Sequence, residues 1–248
     1  LSDVGSVKGP VRTQVSEVGL LDCYVGAHPM AGNEHSGWVA ADPTLFDDAL
    51  WAVTFGLHTQ YRRVVQIAGM ITRGVRNTMI VIDDVTHDRE ASLISHMPHV
   101  LSTALINEMI ENQKVVQALS AGSWRDMTRV ALTDPDRARA MVVENAHNVE
   151  ELLHRMIDWL SEFANALHEE DETEIRHFFA EGQPYRDYKA QINAGKVSDS
   201  TETIFQSLRI DPEHWREQLL KSAQRGEYIV RFTSGHRLIA EQHPSIRS

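Results

Sequence analysis

Three short segments of the 248-residue sequence carry residue types that could form an active site. The first is Gly26-Ala27-His28-Pro29, in which a histidine follows an apolar run and precedes a proline. Because proline disfavours helical geometry at the residue before it, we expect the His28 ring to project from a strand end. Open α/β sheets bind ligands at strand ends, and a histidine pKa near neutral pH suits a general base. The alternative is a structural histidine that bonds to the backbone.

The second segment joins the pair His87-Asp88 to a run that ends at Pro98-His99. On a helix, steps of four, three and four residues bring polar side chains onto one face. A polar stripe within apolar surroundings must be satisfied by internal hydrogen bonds or by a ligand, and both alternatives are open. Pro98 should interrupt the helix. The predicted stripe consists of Asp88, Ser92, Ser95 and His99.

The third segment begins at Gly122-Ser123 and contains Arg125 and Arg129. A loop that leads into a helix presents free backbone N–H groups, which favour an anion. The two arginines lie one helical turn apart, and a guanidinium fork matches a carboxylate. The segment therefore indicates an anion site, with a surface ion-pair helix as the alternative.

Taken in order, these motifs resemble the prephenate/arogenate dehydrogenase family of tyrosine biosynthesis. No single motif decides the resemblance, but their order and spacing together are specific. The matching segments are residues 3–8, 26–37, 87–88, 95–99 and 125–135.

The resemblance implies an α/β, Rossmann-type domain that binds NAD, with NADP not excluded. It implies a mainly helical domain after it, which completes the active site and forms a homodimer. The implied reaction is the oxidative decarboxylation of prephenate to 4-hydroxyphenylpyruvate, or of arogenate to tyrosine. Hydride passes to the nicotinamide while the ring carboxylate leaves as carbon dioxide, so the protein chiefly orients the reactants and handles the hydroxyl proton.

By resemblance, His28 accepts the hydrogen bond of the substrate hydroxyl, Ser6 orients it near the nicotinamide, and Arg129 binds a substrate carboxylate. Asp126 would reach the site from the other subunit, and no metal is implied. Ala138 stands where some members carry Trp, and Asn33 where many carry Thr or Ser, so the choice between prephenate and arogenate stays open. The other implied residues are Ser95, His99, Gly122 and Glu34 for the substrate and Asp3, with Ser6, for the cofactor.

The elements that must position these residues follow from the apolar pattern. Short apolar runs at 24–27, 49–55 and 78–82 predict strands, with a helix at 60–71, so this portion is α/β. Asp134-Pro135 predicts the start of one long helix. Its apolar seam is either a core face or a helix–helix contact between subunits. The seam comprises Val142, Ala146, Val149, Leu153, Met156, Leu160, Phe163 and Leu167.

The patterns indicate an α/β region at 1–86, a helical region at 87–196 and a C-terminal extension at 197–248. The resemblance implies that the first region is the remainder of a nucleotide-binding domain and that the second is a substrate and dimerisation domain. The extension should contain a small hairpin about Thr233-Ser234-Gly235. No G-x-G-x-x-G motif occurs, and the sequence opens at Leu1 without Met. We therefore expect residues to be missing upstream, so that the chain alone binds NAD poorly and exposes an unpaired sheet edge.

Composition narrows the function class. A formal net charge of -11 argues against a nucleic-acid or anionic-membrane surface, so an anionic substrate needs a local basic site. The single Cys23 fits a reducing cytoplasm, and no apolar run is long enough to span a bilayer. Two other readings remain: a metal-dependent phosphohydrolase built on His87-Asp88, and a non-catalytic helical dimerisation module.

Overall fold

The strands form where short apolar runs are rich in β-branched and aromatic residues. The computed structural model describes residues 1–33, 35, 37–109, 113–193 and 204–242. The strands are β1 (Gly26–Pro29), β2 (Leu50–Phe55), β3 (Thr78–Asp83), β4 (Ile204–Arg209), β5 (Glu227–Ser234) and β6 (Arg237–Gln242). The helices are α1 (Gly9–Glu17), α2 (Tyr61–Gly69), α3 (Asp84–Ala91), α4 (Met97–Glu108), α5 (Gln113–Leu119), α6 (Gly122–Thr128), α7 (Pro135–Glu144), α8 (Ala146–His168), α9 (Glu172–Ala180), α10 (Gln183–Asn193) and α11 (Trp215–Gln224).

The six described strands form one sheet in the order β1-β2-β3-β5-β6-β4. β2 and β3 are parallel, whereas β1 runs antiparallel to β2 and pairs His28 with Ala52. His28 therefore lies within β1 rather than after it. Because β1 is antiparallel to β2, its carboxyl end lies beside the amino ends of β2 and β3. The expectation that His28 follows the end of a strand was wrong, because β1 continues through Pro29 and pairs His28 with β2.

The C-terminal segment completes this sheet. β5 and β6 form an antiparallel hairpin at the position expected from the sequence, and β5 joins β3 where Ile229 pairs with Met79. Helix α11 packs the Trp215 ring against Phe55, with 5.1 Å between ring centroids. β5 thus lies along β3, and the apolar residues of α11 cover the adjoining core. The outer strands of the described sheet are β1 and β4, and the unpaired edge expected from missing upstream residues stays a prediction.

A single irregular helix leads from β3 into the helical part of the chain. Asp83 caps α3 by accepting the backbone N–H of Thr86, and a π-helical turn at Ser92–His96 separates α3 from α4. Pro98 is the second residue of α4, so its missing N–H lies where the π-turn passes into α4. The interruption predicted from Pro98 thus takes the form of a π-turn immediately before α4. A π-turn holds more residues than an α-turn, so it rotates the following residues to another face.

The predicted long helix after Asp134-Pro135 is two helices, α7 and α8. They are separated at Asn145, whose φ of -119° and ψ of 28° leave the helical region. The Asn145 amide is buried and donates to the carbonyl oxygen of Asp88 at 2.7 Å, a partner that local sequence does not reveal. This tertiary bond favours the break.

The apolar seam of α8 divides into two halves. Val149 and Leu152 are buried against Met97 of α4, within the chain. Toward the carboxyl end, Leu160 and Leu167 are both about half exposed. The first half is therefore a core face, while the second half is uncovered in the chain by itself. No helix in the described ranges has the length and apolar composition to cross a membrane.

Candidate active site

A buried lysine joins the first segment of the chain to the strand that carries His28. The ammonium group of Lys8 is 2.5 Å from Asp3 Oδ2 and donates to the carbonyl oxygen of Ala27 at 2.9 Å. Asp3 also accepts from the Tyr24 hydroxyl at 2.8 Å. Because Lys8 is fully buried, these bonds hold the loop that contains Ser6 against β1.

A cavity of about 680 Å³ lies between the sheet portion and the helical portion of the chain. Its walls come from the loop before α1, β1 and the loop that follows, the end of the π-turn with α4, and the region from Arg129 to α7. The polar and ionisable side chains that line it are Ser6, His28, Asn33, His35, Ser95, His99, Arg129, Thr133, Arg137 and Glu144.

His28 meets this cavity as a neutral ring. Burial is the main cause that lowers its pKa to about 4, and the neighbouring His87 and Lys8 contribute to the same shift. The Nδ1 atom of His28 is 3.0 Å from Nε2 of His87, and the two rings meet edge to face. At neutral pH the ring can therefore accept a proton, as a general base requires.

The π-turn contributes Ser95 to the cavity, and α4 contributes His99. Burial lowers the pKa of His99, which opposes a positive charge on this ring. Its Nδ1 atom is buried without a hydrogen-bond partner among the described residues. A buried polar atom without a partner is costly, so this nitrogen is a candidate to bind a ligand in the cavity.

The cavity is locally basic in a chain that is acidic overall. Two guanidinium groups, from Arg129 and Arg137, line it together with the carboxylate of Glu144. This charge excess is the local basic site that an anionic ligand requires in a protein of net charge -11.

Residues 1–83 match the nucleotide-binding domain of prephenate dehydrogenase, and residues 83–181 match its dimerization domain. The chain belongs to the prephenate dehydrogenase family. Its fold is accordingly a Rossmann-type nucleotide-binding domain followed by a helical dimerisation domain.

The similar proteins agree with this family. The chain is 31% identical to the prephenate dehydrogenase of Bacillus subtilis over 223 residues, which covers 86% of this chain and 57% of that protein. It is 31% identical to a Corynebacterium glutamicum structure whose own assignment as a prephenate dehydrogenase is provisional (TM-score 0.69; 90% of this chain, 69% of that one). It is 25% identical to Aquifex aeolicus prephenate dehydrogenase solved with hydroxyphenyl propionate and NAD⁺ (TM-score 0.64; 75% and 66%). The chain thus spans between about half and two thirds of the length of three curated relatives.

Five of the residues that the family resemblance implies line the one cavity. They come from four separate segments of the chain, and the catalytic and binding roles given to them remain predictions. They are Ser6, His28, Ser95, His99 and Arg129.

The other implied residues lie elsewhere. Asp3 is bonded to Lys8 and Tyr24 beneath the Ser6 loop, and it does not line the cavity. Gly122 and Asp126 belong to exposed helix α6, outside the cavity lining of this single chain. Glu34 lies outside the described residues. The roles of these four residues stay predictions.

The polar stripe predicted on the helix is only half correct. Ser95 and His99 line the cavity, but Asp88 accepts the backbone N–H groups of Lys8 and Gly9, and Ser92 bonds to the carbonyl of Arg89. The π-turn lies within this stripe and rotates its second half away from its first half.

Sequence reasoning missed Arg137. Its guanidinium lines the cavity and donates to the carbonyl oxygens of Asn33 and His35, each at 2.6 Å. The only local signal is its place in the first turn of α7 after the Asp134 cap, which does not single it out.

His87 and Asp88 do not act together with other residues as a metal-binding cluster in the described part of the chain. No group of three or more His, Cys, Asp or Glu side chains suited to a metal ion occurs there. Instead, His87 bonds to His28, and Asp88 bonds to His87 and to the backbone at the start of α1. The alternative of a metal-dependent phosphohydrolase is therefore not supported, because His87 and Asp88 are bonded to other groups of the protein.

Proposed function

We propose that this protein catalyses the NAD-dependent oxidative decarboxylation of prephenate to 4-hydroxyphenylpyruvate, a step of tyrosine biosynthesis. One observation carries the proposal: a neutral, half-buried histidine shares a cavity with two arginines, in a chain of this family. The histidine suits proton transfer and the arginines suit a carboxylate-bearing substrate.

Substrate binding rests on the basic side of the cavity. Prephenate carries two carboxylates, one on the ring and one on the side chain. The Arg129 guanidinium can donate two hydrogen bonds to one of them in a bidentate pair. Nδ1 of His99, which has no partner among the described residues, offers a further polar contact. The positive charge of Arg137 adds to the attraction for a dianion.

The Ser6 side of the cavity fits the nicotinamide end of a dinucleotide. The Ser6 hydroxyl is half buried at the cavity wall and makes no hydrogen bond with any described residue. It is therefore available to a carboxamide or hydroxyl group. Bound NAD would supply the acceptor for the hydride, and residues 1–83, which match a nucleotide-binding domain, would contribute to holding it. NADP is the alternative cofactor.

His28 would manage the hydroxyl proton. As hydride leaves the ring carbon that bears the hydroxyl, the O–H bond breaks and the proton passes to a ring nitrogen of His28. The bond to the ring carboxylate then breaks, carbon dioxide departs, and the electron pair completes the aromatic ring. The phenolate oxygen takes the proton back from His28, so no net proton is gained or lost on the protein.

Arogenate is the second candidate substrate, and one residue favours it. Arogenate differs from prephenate by an ammonium group on the side chain. Glu144 is the acidic residue among the described cavity-lining side chains, and its carboxylate could pair with that group. Glu144→Gln should therefore weaken turnover of arogenate and leave turnover of prephenate unchanged.

We also propose a homodimer formed through α8 and α9. Residues 83–181 match a dimerization domain, and the uncovered second half of the α8 seam lies there. Phe163 of α8 stacks on Phe178 of α9 at 4.2 Å between ring centroids, and Phe179 is more than half exposed beside them. An apolar surface of this kind is typical of an interface.

An assay of the complete gene product that contains this chain tests the function. Prephenate or arogenate is supplied with NAD⁺ or NADP⁺, and reduced cofactor is followed by absorbance while the product is identified by chromatography. We expect reduced cofactor and 4-hydroxyphenylpyruvate from prephenate. Absence of cofactor reduction with both substrates, or metal-dependent phosphoester hydrolysis, would contradict the proposal.

A further inference from the structure

Three side chains form a hydrogen-bonded row behind the cavity. Nδ1 of His28 lies 3.0 Å from Nε2 of His87, and Nδ1 of His87 lies 2.8 Å from Oδ1 of Asp88. His87 and Asp88 are 3% and 6% exposed, and neither lines the cavity. The proposed function uses His28 alone, so it gives no role to the other two.

Asp88 is the fixed end of this row. Its two carboxylate oxygens accept the backbone N–H groups of Lys8 and Gly9, each at 2.8 Å. Burial acts to raise the pKa of Asp88, but the hydrogen bonds from His87 and from these two backbone groups outweigh it and lower the pKa. Asp88 is therefore ionised at neutral pH and can only accept hydrogen bonds.

The state of Asp88 determines the tautomer of both histidines. Since Asp88 only accepts, Nδ1 of His87 must carry a hydrogen. In a neutral ring, Nε2 of His87 is then bare and must accept from its neighbour. Nδ1 of His28 must consequently carry the hydrogen of that bond, which leaves Nε2 of His28 bare.

We propose that His87 and Asp88 are positioning residues that hold His28 in the tautomer whose bare Nε2 is available to the cavity. This inference rests on the proposed function, in which His28 takes the substrate's hydroxyl proton. When that O–H bond breaks and the Nε2–H bond forms, the charged ring still donates from Nδ1 to His87. The carboxylate of Asp88 stands one residue further along the row and stabilises the positive charge. The pair that first indicates a metal site in the sequence thus supports a base.

The tautomer can be measured on the 248-residue chain itself, without turnover. Selective ¹⁵N-histidine labelling and long-range proton–nitrogen spectra distinguish a protonated from a bare ring nitrogen. We expect His28 to have a hydrogen on Nδ1 and a bare Nε2 at neutral pH. A hydrogen on Nε2 with a bare Nδ1 would overturn the inference, whether or not the protein acts on prephenate.

Two variants of His87 separate positioning from packing. His87→Leu removes the acceptor for Nδ1 of His28, whereas His87→Gln retains an amide oxygen that can accept the same hydrogen. In His87→Leu we expect both neutral tautomers of His28 to be populated. We expect kcat to fall about 10- to 100-fold, which is less than the loss on removing a general base altogether, with KM nearly unchanged. His87→Gln should restore most of the tautomer and of kcat.

His96→Leu is the matched control. His96 is also buried, and its Nδ1 bonds to Asn145 at 3.1 Å, but it does not line the cavity. The His96→Leu substitution should lower stability without changing the His28 tautomer or kcat.

An unchanged tautomer and kcat in His87→Leu would overturn the positioning role. If His87→Leu does not fold, the tautomer in the unmodified chain and the behaviour of His87→Gln still test the inference. His87→Gln should keep most of the His28 tautomer and of kcat, and a large loss of both would contradict the positioning role. A correct tautomer without prephenate turnover would refute the proposed substrate while supporting the row.

Discussion

Arg137 donates both arms of its guanidinium to the loop that follows β1, and the bond to the carbonyl oxygen of His35 spans 102 positions of the chain. The second arm bonds to the carbonyl oxygen of Asn33. A planar fork can hold two carbonyl oxygens at once, whereas an ammonium group cannot match both in a fixed geometry. Helix α7 thus fastens the loop that forms one wall of the cavity.

We therefore expect Arg137→Lys to loosen this wall. KM for prephenate should rise about 10-fold, as for loss of one or two charge-assisted hydrogen bonds, with a smaller change in kcat. Limited proteolysis should cut the loop after β1 faster. Arg139→Lys is the control, since Arg139 is exposed and pairs with Asp136 at 3.5 Å on the helix surface. Equal effects of the two variants would contradict the clamp.

Arg129 and Arg125 lie one turn apart, yet only Arg129 lines the cavity. Arg129→Ala should weaken binding of hydroxyphenyl propionate or prephenate by about 1.5–3 kcal/mol, the scale of a hydrogen bond to a charged group. Arg125→Ala, on exposed helix α6, should have little effect. Isothermal calorimetry on the chain measures both, and a larger loss for Arg125 would show that the wrong arginine was chosen.

His28→Asn should lower kcat by roughly 10²–10⁴-fold, the usual contribution of a general base, while KM changes little. The base must be neutral to work, and burial holds its pKa at about 4. In the unmodified enzyme kcat/KM should therefore stay level as the pH falls from 7 and decline only toward that pKa. His58→Asn, an exposed histidine outside the cavity, serves as control. An acid limb near the ordinary histidine pKa would contradict the neutral state of the His28 ring.

Leu160 reports on the proposed dimer. Its side chain is 51% exposed in the single chain, on the uncovered half of the α8 seam. Leu160→Asp should place a charge in the interface and give monomers by light scattering, because an unpaired buried charge is costly. Leu57→Asp alters a side chain that is 89% exposed, in the turn after β2, and should leave the assembly unchanged. A monodisperse monomer of the unmodified chain would refute the dimer itself.

Glu227 should make stability depend on pH in the acid range. Hydrogen bonds from Arg225 lower its pKa below the ordinary value of 4.5, with Ser222 adding to the effect. A lowered folded-state pKa means that the stabilisation is complete above pH 4.5 and is lost as the pH falls through the folded value. Glu227→Gln should lower the free energy of unfolding at pH 7 by about 1.5–3 kcal/mol, and the difference should shrink in acid. Urea unfolding at several pH values measures this. Glu217→Gln, at an exposed pair, is the control.

Local pattern predicts the elements that depend on neighbours in sequence. The three strands of the first portion are present, with β1 shifted to Gly26–Pro29, and the helix at 60–71 is α2 with a π-turn at Met70–Gly74. Apolar alternation and proline signals act over a few residues, so they can be read from the sequence. Strand direction is a property of the assembled sheet, and the antiparallel course of β1 has no local signal.

Only part of the candidate site could likewise be predicted from the sequence. The family motifs point to Ser6, His28 and Arg129, which line one cavity, but they do not reveal which groups support these side chains. The bond between His28 and His87 joins residues 59 positions apart. The break at Asn145 depends on a carbonyl 57 positions earlier. Such contacts exist only after folding, so spacing within the sequence cannot predict them.

The contact between β3 and β5 is the weak point of the sheet, so we expect the strands on its two sides to open separately. β2 and β3 share a continuous parallel ladder from Leu50–Thr78 to Phe55–Asp83, whereas β5 meets β3 at a single residue pair. The C-terminal strands are therefore held to the rest mainly by the packing of Trp215 and its apolar neighbours. We expect amide hydrogens of β5 and β6 to exchange through a partial opening that leaves β2 and β3 protected. In such an opening Trp215 would leave Phe55, and its fluorescence would report the separation of the two halves before global unfolding.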